Sequence, residues 1–243
     1  MKIGLQLYTL RDALNQNPVE TLARVADMGY RYVETAGLAG LSAEAFRVAL
    51  DKHGLTATSS HHGLEAFEEK FDETVKEAKV LGVGYLVLPW VQEQLFRTQP
   101  EFGQRLGKVA DRLAGQGLKF AYHNHAFEFE PVGARPAYEL LWEHAPEGVL
   151  AELDLYWCQY GGHDPVCWLD TLEHRVPLTH FKDGRDGKFT PVGEGDLDWE
   201  AIIPVAREAG VKYAIVELDE SPRDPFDCVK TSREFLSKMG VDG

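Results

Sequence analysis

In this 243-residue chain, acidic and imidazole side chains recur at the ends of short apolar runs. Glu128 closes the run Tyr122-His123-Asn124-His125-Ala126-Phe127-Glu128, Asp154 ends AELD, His180 stands in THFKD and Glu217 in VELD. Taken singly, a carboxylate at a strand end is a cap or a solvated loop residue, and a lone His is merely hydrogen-bonded. Four converging side chains, three of them carboxylates, are different. In a low-dielectric mouth they repel strongly unless a cation sits among them. Three oxygen donors and one imidazole suit a divalent ion such as Mn2+, Mg2+, Co2+ or Zn2+. The same donor types exclude all-thiolate and haem chemistry.

Further polar and aromatic residues fall at comparable positions. Glu34 ends a second apolar run, His61-His62 a third and Pro89-Trp90 a fourth. Glu152 precedes Asp154 by two residues and Lys182 follows His180 by two, so each pair shares a strand face and Glu152 and Lys182 are positioned for a buried ion pair. Strand alternation also puts His123 and His125 on one face, with Glu128 beyond them on a loop that must curl inward. Glu128 is nevertheless kept as the expected first ligand, with His123 or His125 as alternatives. Trp90 and Trp157 offer flat apolar walls for a ligand, whereas Trp142, Trp168 and Trp199 fall in helical or loop stretches and read as packing.

The elements that position these residues form a repeat. A helical stretch, a glycine and a short apolar strand recur at Gly29, Gly54, Gly82, Gly117, Gly148 and Gly210. The glycine suits the left-handed position just past a helix end. One unit lacks it, at Arg175-Val176-Pro177, where proline is expected to end the helix. Helix starts repeat too: Asn17-Pro18, Asp164-Pro165 and Asp224-Pro225 pair a capping side chain with proline, and Ser42 and Asp198 read as further caps. The apolar spacing from Leu64 to Leu81 predicts one helix. Eight strands result, over about residues 3–8, 31–35, 55–60, 84–89, 118–123, 149–154, 177–182 and 213–218. Eight βα units predict a single (β/α)8 barrel over residues 1–243. An open doubly wound sheet would carry a glycine-rich loop after its first strand, and Gln6-Leu7-Tyr8-Thr9-Leu10-Arg11 has none.

Composition narrows the partners. Net charge is −14, with no basic cluster, which argues against nucleic acid. No apolar run approaches the roughly 18 residues of a membrane helix, and the opening residues enter a strand pattern directly, so a leaderless cytoplasmic protein is expected. The three cysteines, Cys158, Cys167 and Cys228, are expected to be free thiols.

Over nearly its whole length, from IGLQLYTLRD to VELD, and most specifically in YHNHAFEF, AELD, THFKD and VELD, the chain resembles the xylose isomerase-like TIM barrels. That group comprises sugar phosphate isomerases and epimerases together with ketose 3-epimerases, inosose dehydratases and barrel apurinic endonucleases. The resemblance implies one divalent metal held by Glu128, Asp154, His180 and Glu217, a small carbohydrate substrate and, as in many relatives, a homo-oligomer. It implies a sugar isomerase or epimerase moving a proton beside a carbonyl through an enediolate, with Glu128 and Glu217 as base and acid. Glu34, His61, His62, Trp90, His123, His125, Trp157 and Lys182 would contact substrate. Loss of a β-hydroxyl from the same intermediate would make the protein a dehydratase instead. A sugar-binding barrel without catalysis is the further alternative, and the net charge weighs against the endonuclease branch.

Overall fold

A computed structural model describes residues 1–241. Eight parallel strands pair in chain order: β1 (Lys2–Gln6), β2 (Tyr32–Thr35), β3 (Thr56–His61), β4 (Tyr85–Leu88), β5 (Lys119–His123), β6 (Val149–Asp154), β7 (Leu178–Phe181) and β8 (Tyr213–Val216). Parallel pairing of β1 with β8 closes the ring, which makes the fold a (β/α)8 TIM barrel and rules out the open sheet. The outer helices are α1 (Pro18–Asp27), α2 (Ala43–Lys52), α3 (Phe71–Leu81), α4 (Glu101–Ala114), α5 (Ala137–His144), α6 (Pro165–Thr171), α7 (Trp199–Glu208) and α8 (Pro225–Lys238).

Local chemistry sets the helix starts. The side chains of Asn17, Ser42, Asp164, Asp198 and Asp224 each accept a backbone N–H in the first turn of the helix they precede. At the other end, Gly82 is left-handed (φ 76°) and donates its N–H to the Ala78 carbonyl, turning α3 into β4. In the unit without a glycine, it is His174 (φ 66°) that takes the left-handed turn, three residues before Pro177.

Two further stretches depart from the pattern. The helix expected from Leu64 to Leu81 breaks after Glu68, giving a short turn over Leu64–Glu68 and then α3. The break lets Phe67 meet Phe120 edge-on at 5.2 Å while the α3 stripe runs along the barrel. Strands β1, β4, β7 and β8 end one or two residues earlier than the apolar runs suggest, so Lys182 and Glu217 stand just beyond β7 and β8.

After β7 comes an antiparallel hairpin of Asp183–Arg185 and Lys188–Thr190. Asp183 holds it: its carboxylate accepts the backbone N–H of Gly184, Gly193, Gly195 and Leu197 and the indole N–H of Trp199. A Cβ at Gly195 would overlap that carboxylate, which explains the glycine in PVGEGDLDW. Inside the barrel, Tyr85, Val87, Ala121, Leu178 and Ile215 form an apolar floor, separate from the larger core between strands and helices. All three cysteines are free. No helix among the described residues is long and apolar enough to cross a membrane.

Candidate active site and metal centre

Above the floor, the next inward residue on each of several strands is polar. His123, Glu152, Asp154 and His180 arrive this way on β5, β6 and β7, and Glu217 follows β8 directly. The ligand atoms of His123, Asp154, His180 and Glu217 all lie within 4.8 Å of one another, and all four residues are buried. His180 Nδ1 is 2.8 Å from Glu217 Oε2 and 3.9 Å from Asp154 Oδ2; His123 Nε2 is also 3.9 Å from Asp154 Oδ2. Asp154 Oδ2 makes no hydrogen bond, although Lys182 Nζ is 3.0 Å away. A buried carboxylate oxygen left open beside two imidazoles and a second carboxylate fits a divalent cation.

Lys182 does not pair with Glu152. Its ammonium contacts Asp154, Glu217 (2.7 Å) and Asp219 (2.9 Å). Register explains the difference: Glu152 lies level with Leu178 and Asp154 with His180, so Lys182 reaches the layer above Glu152. Glu152 instead takes His61 Nε2 at 2.7 Å, with His123 Nδ1 and His180 Nε2 each at 3.3 Å. Glu34 completes this lower network, at 2.9 Å from His61 and 2.8 Å from His180, and accepts from Gln6 Nε2.

The charges follow from these contacts. Burial opposes ionisation of Glu217, but Lys182 and His180 beside it hold its carboxyl well below the usual range. Glu34 is lowered in the same way, burial being outweighed by His61 and His180. The imidazole of His61 loses to burial but gains more from Glu34 and Glu152, and rises to about 10. Glu152 is pushed up to about 7 by burial and by Glu34. The His125 imidazole is pushed down to about 3 by burial and by Lys182, so it stays neutral.

Glu128, the expected first ligand, takes another course, and His123 stands in the group in its place. The Glu128 carboxylate accepts from the Tyr122 hydroxyl at 2.8 Å and from the His125 backbone N–H at 2.9 Å. Both oxygens are thus committed within the turn that β5 leads into, and burial pushes the carboxyl up to about 8. The middle residue of His-Asn-His is structural: Asn124 accepts the Asp154 N–H and donates to its carbonyl, clasping β5 to β6. The signal was the polar residue between two inward histidines.

A cavity of about 400 Å3 opens onto the upper group, lined by Tyr8, His61, His62, Trp90, His125 and Glu217 among others. Trp90 is half exposed there. Trp157 lies elsewhere, its ring 5.5 Å from Lys182 Nζ and 5.8 Å from the His125 ring. Glu34 and Lys182 are fully buried behind the cavity wall. The other tryptophans pack: Trp168 against Tyr138 and Phe129, Trp142 against Tyr138, and Trp199 against Phe181. A buried donor set preformed at the open end of a TIM barrel supports catalysis of the isomerase or lyase type.

Comparison with known proteins agrees with this geometry. The family described as xylose isomerase-like TIM barrel matches residues 22–239. An inosose dehydratase of Clostridium beijerinckii is 21% identical over 285 aligned positions, spanning 97% of this chain and 94% of its own. A solved sugar phosphate isomerase/epimerase from Parabacteroides distasonis is 25% identical with a TM-score of 0.85 and covers 98% of both chains. The probable 3-DHS dehydratase of Bacillus anthracis shares the fold at a TM-score of 0.75 and 18% identity, over 98% of this chain and 99% of its own.

Proposed function

The chain belongs to the xylose isomerase-like TIM barrel family, and on that premise we propose that it is a divalent-metal-dependent lyase that removes water from a cyclic keto-polyol of the inosose type or from a keto-sugar. The lyase reading draws on the inosose dehydratase that spans almost the whole chain. The observation that carries the chemistry is the convergence of His123, Asp154, His180 and Glu217 beneath a cavity that also holds a neutral imidazole. Those four residues would hold the ion, which when bound supplies a Lewis acid that acidifies the C–H beside a ketone.

The chain's own groups do the rest. His125 lines the cavity, is neutral, and its Nδ1 has no hydrogen-bond partner. It takes the proton from the carbon beside the carbonyl and returns it to the β-hydroxyl, which departs as water and leaves the imidazole as it began. Lys182 holds Glu217 ionised and counters the burial that pushes the Asp154 carboxyl up. His61, His62 and Tyr8 offer polar edges for hydroxyls, and Trp90 a flat face for the ring.

An unphosphorylated substrate suits the rim. Lys182 is occupied by three carboxylates, Arg185 by Asp196 and Arg223 by Glu194, so these cations are already neutralised. A cytoplasmic protein acting on small carbohydrates, without nucleic acid, is the corresponding setting, and Mn2+ is one ion that suits the mixed donor set.

The test is proton NMR of the metal-loaded protein with inososes and keto-sugars in D2O. Loss of water with a new unsaturated or dicarbonyl product is expected. Deuterium entering beside the carbonyl with no water lost would establish the isomerase/epimerase reading, which the Parabacteroides distasonis structure favours. No metal-dependent change in any substrate would defeat both.

A further inference from the structure

Tyr8 borders the mouth cavity, and its backbone N–H begins a chain of hydrogen bonds that leads down to a ligand side chain. That N–H donates to Gln6 Oε1 at 3.0 Å, which settles how the Gln6 amide is turned, because only its oxygen can accept. The amide nitrogen is thereby aimed at Glu34 Oε1 and donates to it at 2.8 Å. Gln6 and Glu34 stand level on β1 and β2, so the pairing of the two strands brings them together. The same Glu34 oxygen lies 2.8 Å from His180 Nε2 and 2.9 Å from His61 Nε2. None of the four mouth donors, His123, Asp154, His180 and Glu217, comes from β1 or β2.

Donor and acceptor roles follow from the chemistry of the groups. A carboxylate oxygen accepts and does not donate, so the His180 nitrogen that faces it carries the ring proton. In a neutral ring the lone pair is then on Nδ1, the nitrogen 2.8 Å from Glu217 Oε2 and 3.9 Å from Asp154 Oδ2. Packing adds a second restraint, since the His61 ring stacks on that of His180 at 5.5 Å and 9° between planes. Gln6, Glu34 and His180 are all fully buried. All of these contacts of Glu34 gather on Oε1, and its Oε2 has no hydrogen-bond partner.

We propose that Glu34, held in place by Gln6, is a positioning residue for the mouth: it fixes the tautomer and ring plane of His180, so that Nδ1 turns its lone pair to the group formed with His123, Asp154 and Glu217. A ligating imidazole whose other N–H is held by a carboxylate is both oriented and more basic, and removing such a partner weakens metal binding about 10–100-fold. Glu34 touches neither the cavity nor the mouth donors other than His180, so it acts through that ring alone. Strands β1 and β2, which give the mouth no donor, thus set the affinity of a donor on β7. The role rests on the reading of the mouth as a divalent-ion position and is independent of which reaction follows there.

The test is the Zn2+ affinity of the chelator-stripped full chain, read by competition with a chromophoric chelator, together with proton NMR of the histidine-labelled, Zn2+-loaded protein. Glu34→Ala should raise the Zn2+ dissociation constant about 10–100-fold and abolish the slowly exchanging Nε2–H resonance of His180. Glu34→Gln keeps an oxygen at the same reach and should restore the resonance and most of the affinity. A folded Glu34→Ala chain that binds Zn2+ as tightly as the unaltered protein overturns the positioning role and leaves the mouth site standing. A Glu34→Gln chain that binds no better than Glu34→Ala overturns it too, because charge and not orientation would then carry the effect. An unaltered chain that binds no Zn2+ overturns the metal reading and this role with it. If Glu34→Ala does not fold, as read by circular dichroism, Gln6→Met decides in its place: it removes the amide that holds Glu34 and should weaken Zn2+ several-fold, and an unchanged affinity overturns the role.

Discussion

Ile215 and Glu217 are two residues apart, as are Leu178 and His180 on β7 and Ala121 and His123 on β5. In each pair the first member joins the apolar floor and the second the charged mouth. The floor gains free energy from burial, roughly 1.5–3 kcal/mol for each large aliphatic side chain. The mouth loses it, because every buried ion costs several kcal/mol before its partners respond. A single strand therefore changes from structural to chemical purpose within one step of its alternation. The barrel can afford a destabilised mouth because the same staves are pinned below by side chains that need no partners.

The contrast can be broken from either side. The largest effect belongs to the mouth: Asp154→Asn or His180→Ala should lower turnover about 10³-fold or more, since a Lewis acid supplies several kcal/mol of transition-state stabilisation. Metal content measured beside activity should fall together with it; full activity without metal would contradict the site. Lys182→Met comes next. It leaves Asp154, Glu217 and Asp219 facing one another without the ammonium, and should cost the metal-free protein about 3–5 kcal/mol in urea denaturation. Added divalent ion should recover part of that loss, and no recovery would mean that the carboxylates do not share a cation.

In the floor, Ile215→Ala should cost about 2–5 kcal/mol while leaving metal per folded chain unchanged. A floor substitution that emptied the mouth would show that the two layers are not separable. The smallest expected effect is at Glu128. Its folded carboxyl titrates near 8, above the ordinary value of 4.5. A raised carboxyl binds its proton more tightly when folded, so its stabilising share is complete below about pH 4.5 and is lost as pH rises through about 8. Glu128→Gln should flatten that slope in urea midpoints measured from pH 5 to 9 and should retain metal. Metal loss in this variant would restore Glu128 as a ligand in place of His123.

The repeat of glycines, caps and short apolar runs was legible because each is a local rule: a left-handed turn, an orphan N–H, a face that must be covered. That Asp154, His180 and Glu217 come together follows from a related rule, since a strand end in this repeat always points to the same rim. The hydrogen bonds of Glu128 were not legible. Its spacing from His125 gives no sign that Tyr122 and the His125 N–H claim both oxygens. The expected Glu152–Lys182 pair failed because parity within a strand says which face a residue takes but not how far the neighbouring strand is displaced along it.

By itself, then, the sequence determined the order of elements, the barrel and the rim on which polar groups collect, all of which depend on neighbours in the chain. Tertiary structure alone decided which carboxylate meets which cation. That choice depends on the stagger between strands, and ångström-scale differences in stagger exceed the reach of a hydrogen bond, so the partners are set by closure of the ring rather than by spacing along the chain.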